Sequence, residues 1–166
     1  MANNRPKIAV PVTSFDKVVE TITVVVLVLV WIYTLVQYPK LPSIIPTHFD
    51  GQGNVDGFGP KWTLFLTTGM ATVFFGLLTY LNRHPHWFNY PVAITSDNAL
   101  RMYAIATQMM RTLKAVLVGV FFAINWQMVQ VAMQPDFSGS KYVIFGILAA
   151  IFGSVFYFLI QLFKNS

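Results

Sequence analysis

Residues 21–38 read TITVVVLVLVWIYTLVQY and contain no charged side chain. A hydrocarbon core about 30 Å thick is crossed by about 20 helical residues, so this stretch is long enough to span a bilayer. Three further uncharged stretches of similar length follow it, at Trp62–Leu81, Ala115–Gln134 and Tyr142–Phe163. The sequence therefore predicts an all-α membrane protein with four transmembrane helices.

The composition of the whole chain agrees with this prediction. Of its 166 residues, 55% are hydrophobic and only 10% are charged, whereas soluble domains carry about 25% charged residues. The absence of cysteine excludes disulfides, thiolate metal sites and a cysteine nucleophile. The pI is near 9.6, but the basic residues flank the helices in ones and twos and form no nucleic-acid patch. We therefore expect contact with membrane lipids and none with nucleic acid.

The predicted domain organisation is a single integral membrane domain over residues 1–166, with helices at about 18–38, 62–81, 98–134 and 142–163. The first helix is expected to stay attached as a signal anchor, because no small-x-small cleavage site follows it. The third helix follows the capping residues Thr95, Ser96 and Asp97. At 1.5 Å per residue it is about 50 Å long, which exceeds a hydrocarbon core, so its part before Lys114 is predicted to lie in the cytoplasm or the interface.

The distribution of basic residues predicts the orientation of the chain. Eight Lys and Arg residues lie in the N-terminal arm, in residues 82–114 and at the C-terminus, and three lie on the opposite side, at Lys40, Lys61 and Lys141. Positively charged flanks are retained on the cytoplasmic side. We therefore expect a multi-pass protein of the bacterial cytoplasmic (inner) membrane, with both termini in the cytoplasm.

Residues 39–61 form a polar, extracytoplasmic loop between the first two helices. The loop contains four prolines and four glycines, which prevents it from continuing a helix. Its apolar residues Ile44, Ile45 and Phe49 are predicted to form the underside of a compact cap on the helix bundle.

The same loop contains side chains that could bind a metal ion. Asp50, Gln52, Asn54 and Asp56 alternate as at the start of a calcium loop, but Lys61 stands where the closing glutamate is needed. A divalent ion held by His48, Asp50 and Asp56 is a second alternative. We favour a third interpretation, in which His48 and Asp56 stabilise the loop by hydrogen bonds and no cofactor is bound.

On the cytoplasmic side, His84 and His86 form a His-x-His pair. A pair is an incomplete set of metal ligands, and its Pro, Trp and Phe neighbours are typical of an interfacial anchor. We therefore predict no metal there.

The four apolar stretches contain no Asp, Glu, Lys, Arg or His. Proton-coupled transporters need an ionisable residue at depth, so this observation argues against transport. Asn125, Gln127 and Gln130 are predicted to bond across helices. Small-residue faces, centred on Gly69 and Gly76 in the second helix and on Gly146 and Gly153 in the fourth, predict close packing within the bundle.

The loop also carries a motif that resembles a known pattern. YPKLPSIIPTHFDGQGNVDGFGPK, residues 38–61, resembles a bacterial membrane domain of unknown function, shared with the N-terminal part of the SdpI-type immunity proteins. The resemblance covers roughly residues 22–80, and the matching positions are Pro42, Pro46, His48, Gly53, Asp56 and Lys61, with Asp50 as a further loop anchor. RPKIAVP before it and PHWFNYPVAIT after it, the latter containing Asn89, Tyr90 and Pro91, are similar to short four-helix members of this group.

The resemblance implies a function. SdpI-type proteins protect a cell from its own secreted toxin peptide, which implies a non-catalytic, immunity-like binding protein whose outer loop meets a peptide or a lipid. The alternative is an accessory subunit of a larger membrane protein complex, indicated by the short chain, the small-residue faces and the expected absence of buried charge. A metal-dependent enzyme or transporter, based on His48, Asp50 and Asp56, is a third hypothesis. The chain has no Gly-x-Ser-x-Gly, His-Glu-x-x-His or phosphate-binding glycine loop, so we predict that it is not an enzyme.

Overall fold

The computed structural model describes residues 5–134, 137 and 140–164. Within these residues lie four long helices and one small sheet. The helices are α1 (Ser14–Gln37), α2 (Thr63–Leu81), α3 (Ala99–Met133) and α4 (Ser140–Lys164), and the strands are β1 (Ile44–Phe49) and β2 (Val55–Pro60). All four helices contain a segment long and apolar enough to cross a membrane. The predicted four-helix membrane architecture is confirmed.

Helix α1 begins four residues before its predicted start at residue 18. Thr13 is the N-cap: its hydroxyl accepts from the backbone N–H of Asp16 at 3.2 Å, and the Asp16 carboxylate accepts from the backbone N–H of Thr13 at 2.8 Å. This reciprocal capping box satisfies two donors at the helix end. The extension places Asp16 inside the helix rather than in the N-terminal arm.

Helices α1 and α3 run in the same direction. Asp16 near the start of α1 contacts Arg111 of α3, and Thr34 near the end of α1 contacts Asn125 of α3. Helix α2 runs the opposite way, because Thr67 near its start bonds to Asn125 and Thr79 near its end bonds to Lys114.

Helix α4 packs along α3 in the opposite direction, with Leu162 buried against Ala99 and Met102 near the start of α3. The bundle therefore has a hairpin end, where α1 and α3 finish, and a terminal end, where α1 and α3 begin. Helix α3 contacts all three other helices.

A polar network lies in the half of the bundle nearest the hairpin. The side-chain nitrogen of Asn125 donates to the Thr68 hydroxyl at 2.7 Å, and its oxygen accepts from the Thr67 hydroxyl at 3.0 Å. The hydroxyls of Thr34 and Thr68 are 2.7 Å apart. The prediction that Asn125 bonds across helices is confirmed, and the network joins α1, α2 and α3.

The glycines in the small-residue faces do not pack within the bundle. A Cβ atom built at Gly69, Gly76, Gly146 or Gly153 would have no neighbouring atom of the described residues within 4 Å, apart from the helix's own backbone. The prediction that these glycines bring helices of this chain together is therefore wrong. There is space beside each of these positions, and Gly146 lines a cavity between α3 and α4.

The predicted loop contains an antiparallel hairpin formed by β1 and β2. Ile45 pairs with Gly59 and is fully buried, together with Leu41 and Leu64. Phe49 packs against the same cluster, whereas Ile44 is 56% exposed because successive strand residues face opposite sides. The predicted apolar underside is confirmed for Ile45 and Phe49 and is wrong for Ile44.

Candidate functional site

The tip of the hairpin is organised by Asp50. Its carboxylate accepts hydrogen bonds from the backbone N–H groups of Gln52 and Asn54 at 2.8 Å and from the Asn54 side chain at 3.0 Å. These bonds, above all the one from the Asn54 side chain, hold the pKa of Asp50 below its ordinary value. Gly53 has a φ of +87°, a conformation that glycine adopts without steric cost. Asp50 and Gly53 of the motif therefore specify a turn.

His48 and Asp56 join the two strands. The His48 Nδ1 atom is hydrogen-bonded to a carboxylate oxygen of Asp56, and the two side chains are 72% and 47% exposed. Gly57 lies opposite His48 in the sheet, and a Cβ atom at Gly57 would be 2.9 Å from the His48 Cβ. The predicted hydrogen bond between His48 and Asp56 is present in the structure.

Lys61, the last residue of the motif, ties the hairpin to the end of the first helix. Its ammonium donates to the backbone carbonyls of Tyr38 at 3.2 Å and Leu41 at 3.1 Å, and lies 4.7 Å from the centre of the Tyr38 ring. Pro42 directly follows this contact, and Pro46 is buried in β1 beside a register irregularity. All seven motif positions thus lie in the hairpin or at its base.

The candidate metal ligands His48, Asp50 and Asp56 do not form a metal site in the part of the chain that the structure describes. There, no three His, Asp or Glu side chains are grouped closely enough to hold a metal ion. His48 and Asp56 bond to each other, while the Asp50 carboxylate is directed to the turn.

A groove of about 260 Å³ lies beneath the hairpin. Helix α3 contributes Gln127, which is 3% exposed and whose side-chain nitrogen has no hydrogen-bond partner among the described residues. The predicted hydrogen bond from Gln127 to another helix is therefore not made by its side-chain nitrogen. The groove is lined by Thr47, His48, Phe49, Ile124, Gln127, Ile147 and Leu148.

The second motif, Asn89-Tyr90-Pro91, holds the N-terminal arm at the terminal end. The Tyr90 hydroxyl donates to the Pro85 carbonyl at 2.9 Å, and the Arg5 guanidinium lies 5.5 Å from the Tyr90 ring centre. Burial raises the pKa of Tyr90, with the nearby Tyr103 adding to the shift. Asn89 and Pro91 are exposed on either side of this contact.

The His84–His86 pair belongs to an aromatic cluster. The His84 ring stacks on Trp87 with centroids 4.2 Å apart, and the centroids of the two histidines are 6.0 Å apart. Partial desolvation, followed by the charge of Lys7 and the His84 ring, lowers the pKa of His86. The stacking agrees with the predicted anchor role of this segment.

The terminal end also holds a cluster of buried charges that the sequence analysis missed. Arg111 donates to Asp16 at 3.0 Å, and the Lys114 ammonium contacts both carboxylate oxygens of Glu20, at 2.8 and 2.7 Å, and the Thr79 hydroxyl at 2.8 Å. Asp16 and Lys114 are each 1% exposed.

One feature of the sequence explains the oversight. The four uncharged stretches leave out Glu20, Arg111 and Lys114, although the predicted helices 18–38 and 98–134 contain them, so pairing of these charges across helices was not predicted. A usable signal was nevertheless present. Asp16 and Glu20 are four residues apart, which places two acidic side chains on one face of α1. Arg111 and Lys114 are three residues apart, which places two basic side chains on one face of α3.

Residues 25–72 match the family described as "Domain of unknown function (DUF1648)". The match spans part of α1, the hairpin and the first half of α2, and it confirms the resemblance to a domain of unknown function. A protein of Archaeoglobus fulgidus described as uncharacterized is 24% identical over 143 residues, which cover 81% of this chain and 73% of the relative. No solved structure matches the chain. The link to SdpI-type immunity proteins stays a prediction.

Proposed function

We propose that this multi-pass membrane protein is a non-catalytic binding protein that recognises an amphiphilic peptide in the groove beneath its hairpin. The observation that carries the proposal is the buried, unpartnered side-chain nitrogen of Gln127 in that groove. A buried donor without a partner costs about 1–3 kcal/mol. A ligand that supplied an acceptor would recover part of this cost.

The walls of the groove suit a peptide. Phe49, Ile124 and Ile147 offer apolar contact, and a backbone carbonyl is an acceptor that could reach Gln127 while an apolar side chain fills the groove. The hairpin is fixed by the His48–Asp56 and Lys61 contacts, so little ordering of the protein would oppose binding. The resemblance to SdpI-type proteins supports an immunity-like role against a peptide toxin.

Gln127→Leu tests this function. The change replaces the unpartnered donor by an apolar group of similar size, so we expect equal or higher stability together with loss of protection against a membrane-active peptide. Gln108→Leu is the matched control, because Gln108 lies on the same helix and outside the groove.

The measurement is the growth of cells that express each variant during challenge with a panel of secreted amphiphilic peptides. Protection by wild type and Gln108→Leu, but not by Gln127→Leu, is the expected result. Equal protection by all three proteins, or by none of them, would contradict the proposal.

The proposal includes an orientation, with the termini in the cytoplasm and the hairpin outside. The bias of eight basic residues against three supports it. The chain has no cysteine, so single-cysteine variants give an unambiguous readout. A membrane-impermeant thiol reagent should label Gln52→Cys in intact cells and label Ser96→Cys only after lysis. The reverse pattern would overturn the orientation.

An accessory subunit of a larger complex is the second candidate function. It is supported by the space beside Gly69, Gly76 and Gly153, where a Cβ atom would have no neighbour within 4 Å among the described residues, so that helices of another protein could pack there. Native mass spectrometry at natural abundance tests it. A co-purifying protein that is lost on Gly76→Leu would support the subunit role, and a bare protein would oppose it.

A further inference from the structure

A second cavity, of about 440 Å³, lies at the terminal end of the bundle. It opens between the N-terminal arm, the end of α2 and the first half of α3, and its volume is in the range of ligand sites. It is separate from the groove beneath the hairpin. The polar residues that line it are Glu20, Thr79, Asn82, Arg83, Thr107 and Arg111.

The charges around this cavity leave one positive charge unmatched. Arg111 pairs with Asp16, and Lys114 pairs with Glu20. Arg83 also lines the cavity, is exposed, and has no acidic partner among the described residues. Three bases and two acids therefore leave a net charge of +1, which suits a ligand group with one negative charge.

Asn82 specifies a second feature of the ligand. Its side-chain oxygen is buried, and no hydrogen-bond donor reaches it from the part of the chain that the structure describes. Asn82 lines the cavity next to Arg83. A ligand that satisfied both residues would carry a hydroxyl donor close to its negative charge.

The depth of the cavity indicates the source of such a ligand. Helix α2 has 19 residues, which at 1.5 Å per residue span about 28 Å, close to the thickness of a hydrocarbon core. Asn82 and Arg83 follow directly after α2 and so lie at the level of the lipid headgroups. Ile8, Val10 and Val12 of the N-terminal arm line the same cavity and offer apolar contact.

We propose that this cavity binds a phosphoglycerol group, with the phosphate at Arg83 and a glycerol hydroxyl donating to the side-chain oxygen of Asn82. Phosphatidylglycerol carries this group with one negative charge at the required depth. Soluble glycerol phosphate carries the same phosphate and glycerol hydroxyls, with about one further negative charge at neutral pH because its phosphate is a monoester. The proposal does not depend on the function assigned to the hairpin groove.

Native mass spectrometry of the full-length protein in a mild detergent, with added phosphatidylglycerol or phosphatidylcholine, tests the proposal. We expect wild type to retain phosphatidylglycerol in preference. Arg83→Gln should lower its retention about fivefold through loss of one exposed charge contact. Asn82→Ala should lower it about threefold through loss of one neutral hydrogen bond.

Arg101→Gln is the control, because Arg101 is an equally charged, exposed residue near the start of α3 that does not line the cavity. It should retain the lipid as wild type does. Equal losses in Arg83→Gln and Arg101→Gln, or equal retention of the two lipids by wild type, would overturn the proposal.

Competition with soluble glycerol phosphate separates the two sources. Displacement of bound phosphatidylglycerol at millimolar glycerol phosphate would support the headgroup chemistry and identify the free compound as a ligand. Retained phosphatidylglycerol under the same conditions would support the same chemistry with the lipid as the ligand.

Discussion

The two ends of the bundle each hold paired polar or charged side chains, but of very different kinds. At the hairpin end, His48 and Asp56 are eight residues apart in sequence and both are substantially exposed. At the terminal end, Arg111 and Lys114 contact Asp16 and Glu20 across 94 or 95 residues, and three of these four side chains are largely buried. The His48–Asp56 pair of the loop motif joins the two strands of one hairpin. The buried charges at the terminal end join α1, α2 and α3.

The two environments predict unequal contributions to stability. An exposed ion pair contributes about 0–1 kcal/mol, because water screens the charges. Removing one partner of a buried pair costs about 3–5 kcal/mol, because it leaves a charge desolvated and unpaired. The bundle should therefore depend more strongly on the terminal end than on the motif.

Lys114→Met should give the largest effect. It leaves Glu20 without its closest cation and Thr79 without a donor, and we expect a loss of about 3 kcal/mol in the free energy of unfolding. Unfolding by sodium dodecyl sulfate in mixed micelles, followed by circular dichroism, measures it.

Lys17→Met is the control for this prediction, because Lys17 is exposed on the same side of the molecule. A second variant, Glu20→Gln combined with Lys114→Met, should recover part of the loss, since neither charge remains. If Lys17→Met and Lys114→Met are equally stable, the proposed importance of the buried cluster is wrong.

Lys61→Met should have an intermediate effect on the hairpin end. Two charge-assisted hydrogen bonds to the carbonyls of Tyr38 and Leu41 are lost, but Lys61 is only partly buried and water can replace some of the contact. We expect a loss of about 1–2 kcal/mol in the same unfolding assay. Lys40→Met, at an exposed neighbour, should change stability by less than half as much.

The contrast between the two ends also explains what the sequence could predict. The four helices follow from uninterrupted apolar stretches, and the His48–Asp56 bond follows from two polar residues close together in one loop. The strands were not foreseen, because the prolines and glycines indicated only that the loop is not helical; Pro46 and Pro60 nevertheless pair with Phe58 and Ile44 in the sheet.

Long-range contacts could not be located in the same way. Four consecutive spans imply that α1 and α3 run in the same direction, but Asp16 and Arg111 meet only because the two helices are neighbours at matching heights, which no local pattern specifies. The predicted start of α1, at residue 18, leaves Asp16 just outside the helix, whereas the Thr13 cap places Asp16 in its first turn. The groove at Gln127 likewise requires the packing of α3, α4 and β1.

His48→Ala should have a small effect on stability. The imidazole is 72% exposed, so we expect a loss below about 1 kcal/mol, because water can replace the lost hydrogen bond. A double-mutant cycle with Asp56→Ala isolates the pair. The same cycle should be measured for Lys114 and Glu20. A larger coupling energy between His48 and Asp56 than between Lys114 and Glu20 would show that the hairpin end contributes more to stability than the terminal end.

The smallest effect should be the acid response of the hairpin turn. Since hydrogen bonds to the ionised carboxylate lower the pKa of Asp50 in the folded protein, they stabilise the turn fully above the unfolded pKa, and this contribution is lost as the pH falls through the lower, folded pKa. Titration of the Asn54 backbone amide by NMR should therefore show a midpoint below that of an unstructured peptide containing the same turn. Asp50→Asn should abolish the transition while α1 to α4 remain folded, because Asp50 contacts only residues of the turn in the described part of the chain. A midpoint at or above that of the peptide would show that the carboxylate does not organise the turn, and the local character of the hairpin end would then need another explanation.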